Sequence, residues 1–192
     1  MKKEQLVFPS IMGKSQNEID ALFVKLQGTA KVLHLDIADG KAVPNTSLNF
    51  PFRLSEKFHY QAHLMIRKPE QWIMEHGYKV DLCIPQFEET DVCCYIPWMK
   101  KLRKPVAFAL RPETPAKALQ AFIQDIDDVL ILTVHPGFYG AKFLSAPLRK
   151  IQQLKKLKPS LQIIVDGGMN PITIKTAATA GGDYFVSGSF VG

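Results

Sequence analysis

Four side chains in this sequence have the types and spacing to do chemistry together. His34 and Asp36 lie in His34-Leu-Asp-Ile-Ala-Asp39, His63 lies in Gln61-Ala-His-Leu-Met65, and Asp166 closes Ile163-Ile-Val-Asp166 before Gly167-Gly168. His34 and Asp36 alternate along an apolar run that reads as a strand, so both project to one face, where an imidazole and a carboxylate can share a metal ion. A mixed His/carboxylate set suits one divalent ion of Zn, Fe, Mn or Co better than Ca. It also places two carboxylates in one pocket, which suits proton transfer beside a chelated oxyanion. Each residue alone is ordinary, since a strand histidine is commonly packed in a core and a terminal aspartate commonly caps a helix. Four of them at strand ends are hard to explain as packing. Asp39, in the turn with Gly40, reads as a loop-fixing residue rather than a base.

Glycines mark a second constellation. Pro136-Gly-Phe-Tyr-Gly140, Gly167-Gly168 and Ser187-Gly-Ser189 each follow an apolar run. Without a Cβ, such loops let backbone N–H groups approach an anion closely. Ordinary turns explain any one of them; three in succession point to a phosphate.

The elements that must position these residues are legible as eight short apolar runs: 6–8, 32–37, 60–66, 80–84, 106–110, 129–134, 161–165 and 184–186. Most are nearly continuous and bounded by turn residues, as strands buried on both faces should be. Amphipathic stretches of helical length lie between them at 18–26, 70–76, 116–126, 148–157 and 172–180. Pro69, Pro115, Pro147 and Pro171 stand near helix starts, where proline is tolerated. Strand–helix alternation repeated about eight times predicts an α/β fold, a single (β/α)8 TIM barrel over residues 1–192, with all four candidate ligands at the C-terminal strand ends. No dinucleotide fingerprint follows the first run, which continues Pro9-Ser-Ile-Met-Gly13. No helical pattern follows the eighth run before Gly192, so a barrel lacking its final helix, truncated or self-associating into a homo-oligomer, is expected.

Composition excludes several classes. The chain has 192 residues, 46% of them hydrophobic, and a net charge of +6. No run approaches the roughly 18 apolar residues of a spanning helix, and Leu6-Val-Phe8 is too short for a secretory core. Three cysteines, two of them adjacent, do not make a disulfide framework. A cytoplasmic protein with no membrane partner is expected. The basic runs at 100–104 and 149–158 read as solvated helix faces, and no aromatic interleaving suggests nucleic acid. A small anionic substrate fits the charge equally well.

Taken together, His-Leu-Asp-x-x-Asp-Gly-x-x-Val-Pro-Asn, His-Leu-Met, Pro-Gly-Phe-x-Gly, Val-Asp-Gly-Gly and Gly-Ser resemble the ribulose-phosphate 3-epimerase family, in the same order and over essentially the whole chain. The resemblance implies a metal on His34, Asp36, His63 and Asp166, with Asp36 and Asp166 as the acid/base pair. It implies substrate contacts from Ser10 and His63, and a phosphate held by Gly140, Gly167, Gly168, Gly188 and Ser189. The expected substrate is a small phosphorylated ketose, D-ribulose 5-phosphate first, in the pentose phosphate pathway. A hexulose-6-phosphate (allulose-6-phosphate) 3-epimerase and a non-catalytic sugar-phosphate-binding barrel are the alternatives. The chain departs from the family pattern at Ala38 and Leu132, where methionine is usual, and at Gln86, where histidine is usual. Arg111, His135, Tyr139, Ala141 and Lys41-Ala42 also differ. These departures read as an altered substrate lining around an intact metal and acid/base set.

Overall fold

The computed structural model describes residues 6–136 and 141–188. Eight parallel strands run β1 (Val7–Ile11), β2 (Val32–Asp39), β3 (His59–Met65), β4 (Leu82–Pro85), β5 (Ala107–Leu110), β6 (Asp128–Leu132), β7 (Gln162–Asp166) and β8 (Tyr184–Ser187). Each pairs with its sequence neighbour, β8 returns to β1, and a Gln86–Ala109 bridge joins the β4 and β5 edges. The sheet is a (β/α)8 barrel, as the spacing of apolar runs predicts. Its strands are buried on both faces, which is why they read as continuous apolar runs.

Register decides which side chains meet. Asp36 lies opposite His63 across β2 and β3, Ser10 opposite His34 across β1 and β2, and Leu132 opposite Asp166 across β6 and β7. Polar residues from β1, β2, β3 and β7 are thereby gathered at one end of the barrel.

The helices form where apolar spacing and caps agree. In α1 (Gln16–Leu26) Ile19, Phe23 and Leu26 recur at helical spacing and are buried, and the Ser15 side chain accepts from Glu18 N. Proline occupies the first turn of α2 (Pro69–His76) and α5 (Pro171–Thr179), as expected. Helix α4 (Arg149–Leu157) buries Ile151 and Leu154.

Three expectations need correction. The alternation is not eightfold: β2 and β3 are joined without an α-helix, by a connection whose Thr46–Ser47 pairs antiparallel with the end of β2. The stretch expected as a helix over 116–126 is two 3₁₀ turns, Ala116–Leu119 and Ile123–Asp125. Conversely, α3 (Val92–Lys101) carries Pro97 inside it, which hid its period. The chain beyond Gly188 lies outside the described residues.

The N-terminal rim is held by a repeated device. Asp81, Asp127 and Asp183 each immediately precede or open an even-numbered strand. Each carboxylate accepts the backbone N–H of the odd-numbered strand beside it: Tyr60, Val106 and Ile163 respectively, at 2.8–2.9 Å. Each aspartate's own N–H returns a bond to the carbonyl of that same residue. The basic runs serve the same end. Lys158 Nζ donates to Ile126 O, Lys104 Nζ to Gly77 O, and Lys155 pairs with Asp183 at 2.7 Å.

Candidate active site and metal centre

At the opposite rim, His34, Asp36, His63 and Asp166 each offer one ligand atom, all within 4.8 Å of one another. His63 Nδ1 lies 3.3 Å from Asp36 Oδ1 and 3.7 Å from Asp166 Oδ2, and His34 Nε2 lies 3.7 Å from Asp36 Oδ1. Both histidines are fully buried. Neither ring nitrogen of His34 makes a hydrogen bond. Leaving a buried polar group unbonded costs about 1–3 kcal/mol, and a divalent cation among these four would relieve it. The donor set therefore fits a metal of the Zn, Fe, Mn or Co type, and His34 is in the right protonation state. Burial, only partly offset by the Asp36 charge, pushes its pKa down to about 4, so the imidazole is neutral at physiological pH.

The two carboxylates are driven apart. Burial would raise both. For Asp36 it is outweighed by the bond from His63, the charges of His34 and His63, and the Ser10 hydroxyl, so this carboxyl stays below its usual range. The Ser10 bond is short, 2.5 Å from Oγ to Oδ2. Asp166 is pushed well above its usual range by burial and then by the Asp36 charge, against a single backbone bond from Gly167. Two carboxyls at one site whose proton affinities are pushed in opposite directions suit acid/base chemistry.

A cavity of about 440 Å³ opens onto this group. Ser10, Asp36, His63 and Asp166 line it, with Met12, Met65, Leu132 and Phe143 as apolar walls. Gly167, Gly168 and Gly188 line it too, whereas Gly140 and Ser189 lie outside the described residues. Glycine is required in the turn after β7. Gly167 has φ +109° and a Cβ there would meet Val134 at 2.5 Å; Gly168 has φ +66° and faces Phe143. Asn170 caps α5 by accepting from Ile172 N and Thr173 N, so those two donors are already used.

Two further residues hold this constellation: Thr133, which sequence reasoning missed, and Gln86, which it read as part of an altered substrate lining but which does not line the cavity. Thr133 is fully buried, and its hydroxyl lies at hydrogen-bond distance from Asp166 O (2.9 Å) and Gly167 O (2.6 Å), while its N–H donates to Asp166 O. It fixes the strand end that carries Asp166. Gln86 is fully buried with its amide nitrogen 2.8 Å from His63 Nε2.

The departures from the family pattern are, in part, not where the sequence suggested. Arg111 does not line the cavity; its guanidinium pairs with Glu89 at 2.8 Å. His135 is exposed and faces Glu113 at 3.0 Å. Ala38 is buried against Val43 and Met65. Leu132 and Ala141 do face the cavity, and Tyr139 lies outside the described residues. Asp39, the last residue of β2, accepts from Lys41 N, Ala42 N and Arg67 N, the loop-fixing role expected of it.

A parallel eight-stranded barrel with a His/Asp group and a cavity at its C-terminal rim has the architecture of a TIM-barrel enzyme. Solved structures agree on the fold. A tryptophan synthase complex from Pyrococcus furiosus aligns with a TM-score of 0.68 at 13% identity, covering 100% of this chain and 90% of that one. A model of the ribulose-phosphate 3-epimerase family matches residues 6–191. The ribulose-phosphate 3-epimerase cytoplasmic isoform of Oryza sativa is 34% identical over 83% of this chain and 74% of its own. The enzyme of that name from Bacillus subtilis is 31% identical over 86% and 81%, and that of Treponema pallidum 30% over 98% and 92%. The chain belongs to the ribulose-phosphate 3-epimerase family, and it is an isomerase of the epimerase type acting on carbohydrates.

Proposed function

We propose that the protein interconverts D-ribulose 5-phosphate and D-xylulose 5-phosphate, one of Asp36 and Asp166 removing the C3 proton and the other returning a proton to the opposite face. The observation that carries this reading is the pair of carboxyls, on β2 and β7, that share one cavity with two buried histidines. His34, Asp36, His63 and Asp166 would hold a divalent ion, which when bound would supply Lewis-acid stabilisation of the negative charge developing on the substrate oxygens.

The protein's own groups do the rest. Asp36, ionised and held by Ser10, takes the C3 proton from one face, and protonated Asp166 delivers its proton to the other. Each forward turnover leaves Asp36 protonated and Asp166 ionised, which is the starting state of the reverse reaction, and proton exchange with solvent resets the pair for another forward turnover. Gly167, Gly168 and Gly188, with Gly140 and Ser189 by their motifs, would cradle the phosphate and fix the sugar so that C3 lies between the carboxyls. Residues 1–192 act as one barrel domain in this reading. The cytoplasm and pentose phosphate metabolism are its setting, in line with the rice relative's name.

The test is a panel of ketose phosphates, allulose 6-phosphate included, assayed with and without chelator beside elemental analysis of undialysed protein. Turnover of ribulose 5-phosphate, about one metal equivalent per chain and loss of turnover on chelation are expected. Full activity in metal-free protein would sink the metal-assisted reading, and preference for a six-carbon ketose would reassign the substrate.

A further inference from the structure

Gln86 stands directly behind His63, one of the four proposed metal ligands, and its contact with that ring is chemically unfinished. Its side-chain nitrogen is 2.8 Å from His63 Nε2, while its Oε1, equally buried, has no hydrogen-bond partner. On the other side of the ring, Nδ1 faces Asp36 Oδ1 at 3.3 Å and Asp166 Oδ2 at 3.7 Å. Nδ1 is therefore the only nitrogen of His63 directed at the other ligands.

Two arrangements of this pair are possible, because the ends of a carboxamide are nearly isosteric and exchange by a half-turn of χ3. If the amide NH₂ faces the ring, Nε2 must be the lone-pair nitrogen and Nδ1 carries the proton. Nδ1 then donates to Asp36, cannot bind a cation, and the glutamine oxygen stays orphaned. If the oxygen faces the ring, it accepts Nε2–H at the same distance, the NH₂ takes the place the oxygen held, and the Nδ1 lone pair points at Asp36 and Asp166. A cation among the four ligands needs the Nδ1 lone pair, so its binding favours the second arrangement, in which the Nε2–H has an acceptor 2.8 Å away.

We propose that Gln86 is the positioning residue of the metal centre: its carbonyl oxygen holds His63 as the Nε2–H tautomer, so that Nδ1 is presented as a ligand. The backbone gives it the rigidity this needs. Gln86 N donates to Leu64 O, Gln86 O accepts from Thr90 Oγ1 at 2.7 Å, and the residue bridges to Ala109 where β4 meets β5. The inference rests on the metal reading given above.

The test compares wild type with Gln86→Met, which keeps the volume but cannot accept, and Gln86→Glu, which restores an acceptor. Each is stripped of metal and titrated with Zn²⁺ against a chromophoric chelator, with a thermal melt as the folding control. Gln86→Met should bind Zn²⁺ about 10–100-fold more weakly, the usual effect of removing such an outer partner, and Gln86→Glu should bind at least as tightly as wild type. Long-range ¹H–¹⁵N NMR of the zinc-loaded wild type should show the His63 proton on Nε2 and none on Nδ1. A folded Gln86→Met that binds as tightly as a metal-binding wild type overturns this inference alone. A proton on Nδ1 overturns it whether or not the variants fold. Wild type that takes up no Zn²⁺ overturns the metal reading and this inference with it.

Discussion

The two rims of the barrel use the same side chain to opposite ends. At the N-terminal rim, Asp81, Asp127 and Asp183 are each matched to a backbone N–H at 2.8–2.9 Å, and each tie is doubled by a returning backbone bond. At the C-terminal rim, Asp36 and Asp166 are crowded with two buried histidines, one of which has no hydrogen bond at all. A carboxylate tied to a backbone N–H is committed to holding the fold. One confined beside another carboxylate in a buried pocket is poised to exchange a proton or bind a cation, and the fold tolerates its cost.

The largest effect that would break this contrast is on the functional side. Asp166→Asn should lower epimerisation by at least about 10³-fold, some 4 kcal/mol of barrier, in a sample whose metal content is measured alongside. If the carboxyls serve opposite faces, NMR in deuterated water should still show C3 exchange from one epimer and not from the other. Near wild-type epimerisation from both would reduce Asp166 to a ligand. In the metal-free protein the same variant should melt higher at neutral pH, since a carboxyl raised in the fold contributes less stability as pH rises.

Asp127→Ala tests the opposite rim. It strands the buried N–H of Val106 and should lower stability by about 1–3 kcal/mol in denaturant titrations, with kcat/KM unchanged within about twofold. A comparable loss of activity would mean the rims are coupled.

Asp128 sharpens the comparison, because it is the N-terminal-rim acid that behaves like one at the top. Burial, then the charges of Asp127 and Asp183, push it up to about 6. The folded state therefore holds its proton more tightly than the unfolded chain. Its contribution is fully present below about pH 4 and lost as pH rises through about 6. Asp128→Asn should be more stable than wild type at pH 7–8, by on the order of 2 kcal/mol, with the difference vanishing near pH 4. A pH-independent difference would refute the assignment.

The smallest expected effect links strand end to cavity. Thr133→Val removes the hydroxyl that holds Asp166 O and Gly167 O. It should cost about 1 kcal/mol of stability and raise KM a few-fold, more than it lowers kcat.

What could be read from the sequence follows from this division. The eight strands were legible because strands buried on both faces are written as uninterrupted apolar runs. His34, Asp36, His63 and Asp166 were legible because polar residues interrupt those runs, and their gathering then needs only the barrel. Helix α3 was hidden by Pro97, and the 3₁₀ turns at 116–125 carry apolar spacing too short to tell from an α-helix. Gln86 and Thr133 were not legible for a different reason. Their roles depend on contacts across β3–β4 and β6–β7 that exist only once the register is set. Arg111 and His135 misled because a charged residue at a strand end looks like lining until its partners, Glu89 and Glu113, are placed.

The three aspartate ties also bear on how the chain becomes a barrel. They link β3 to β4, β5 to β6 and β7 to β8, always within one strand–connection–strand unit and never between units. Each unit can thus close over short sequence separation before the ring does, a hierarchy that lowers contact order at the earliest steps. The amides of Tyr60, Val106 and Ile163 are then expected to exchange with solvent only when a whole unit opens, which makes them native-state reporters of three separate foldons.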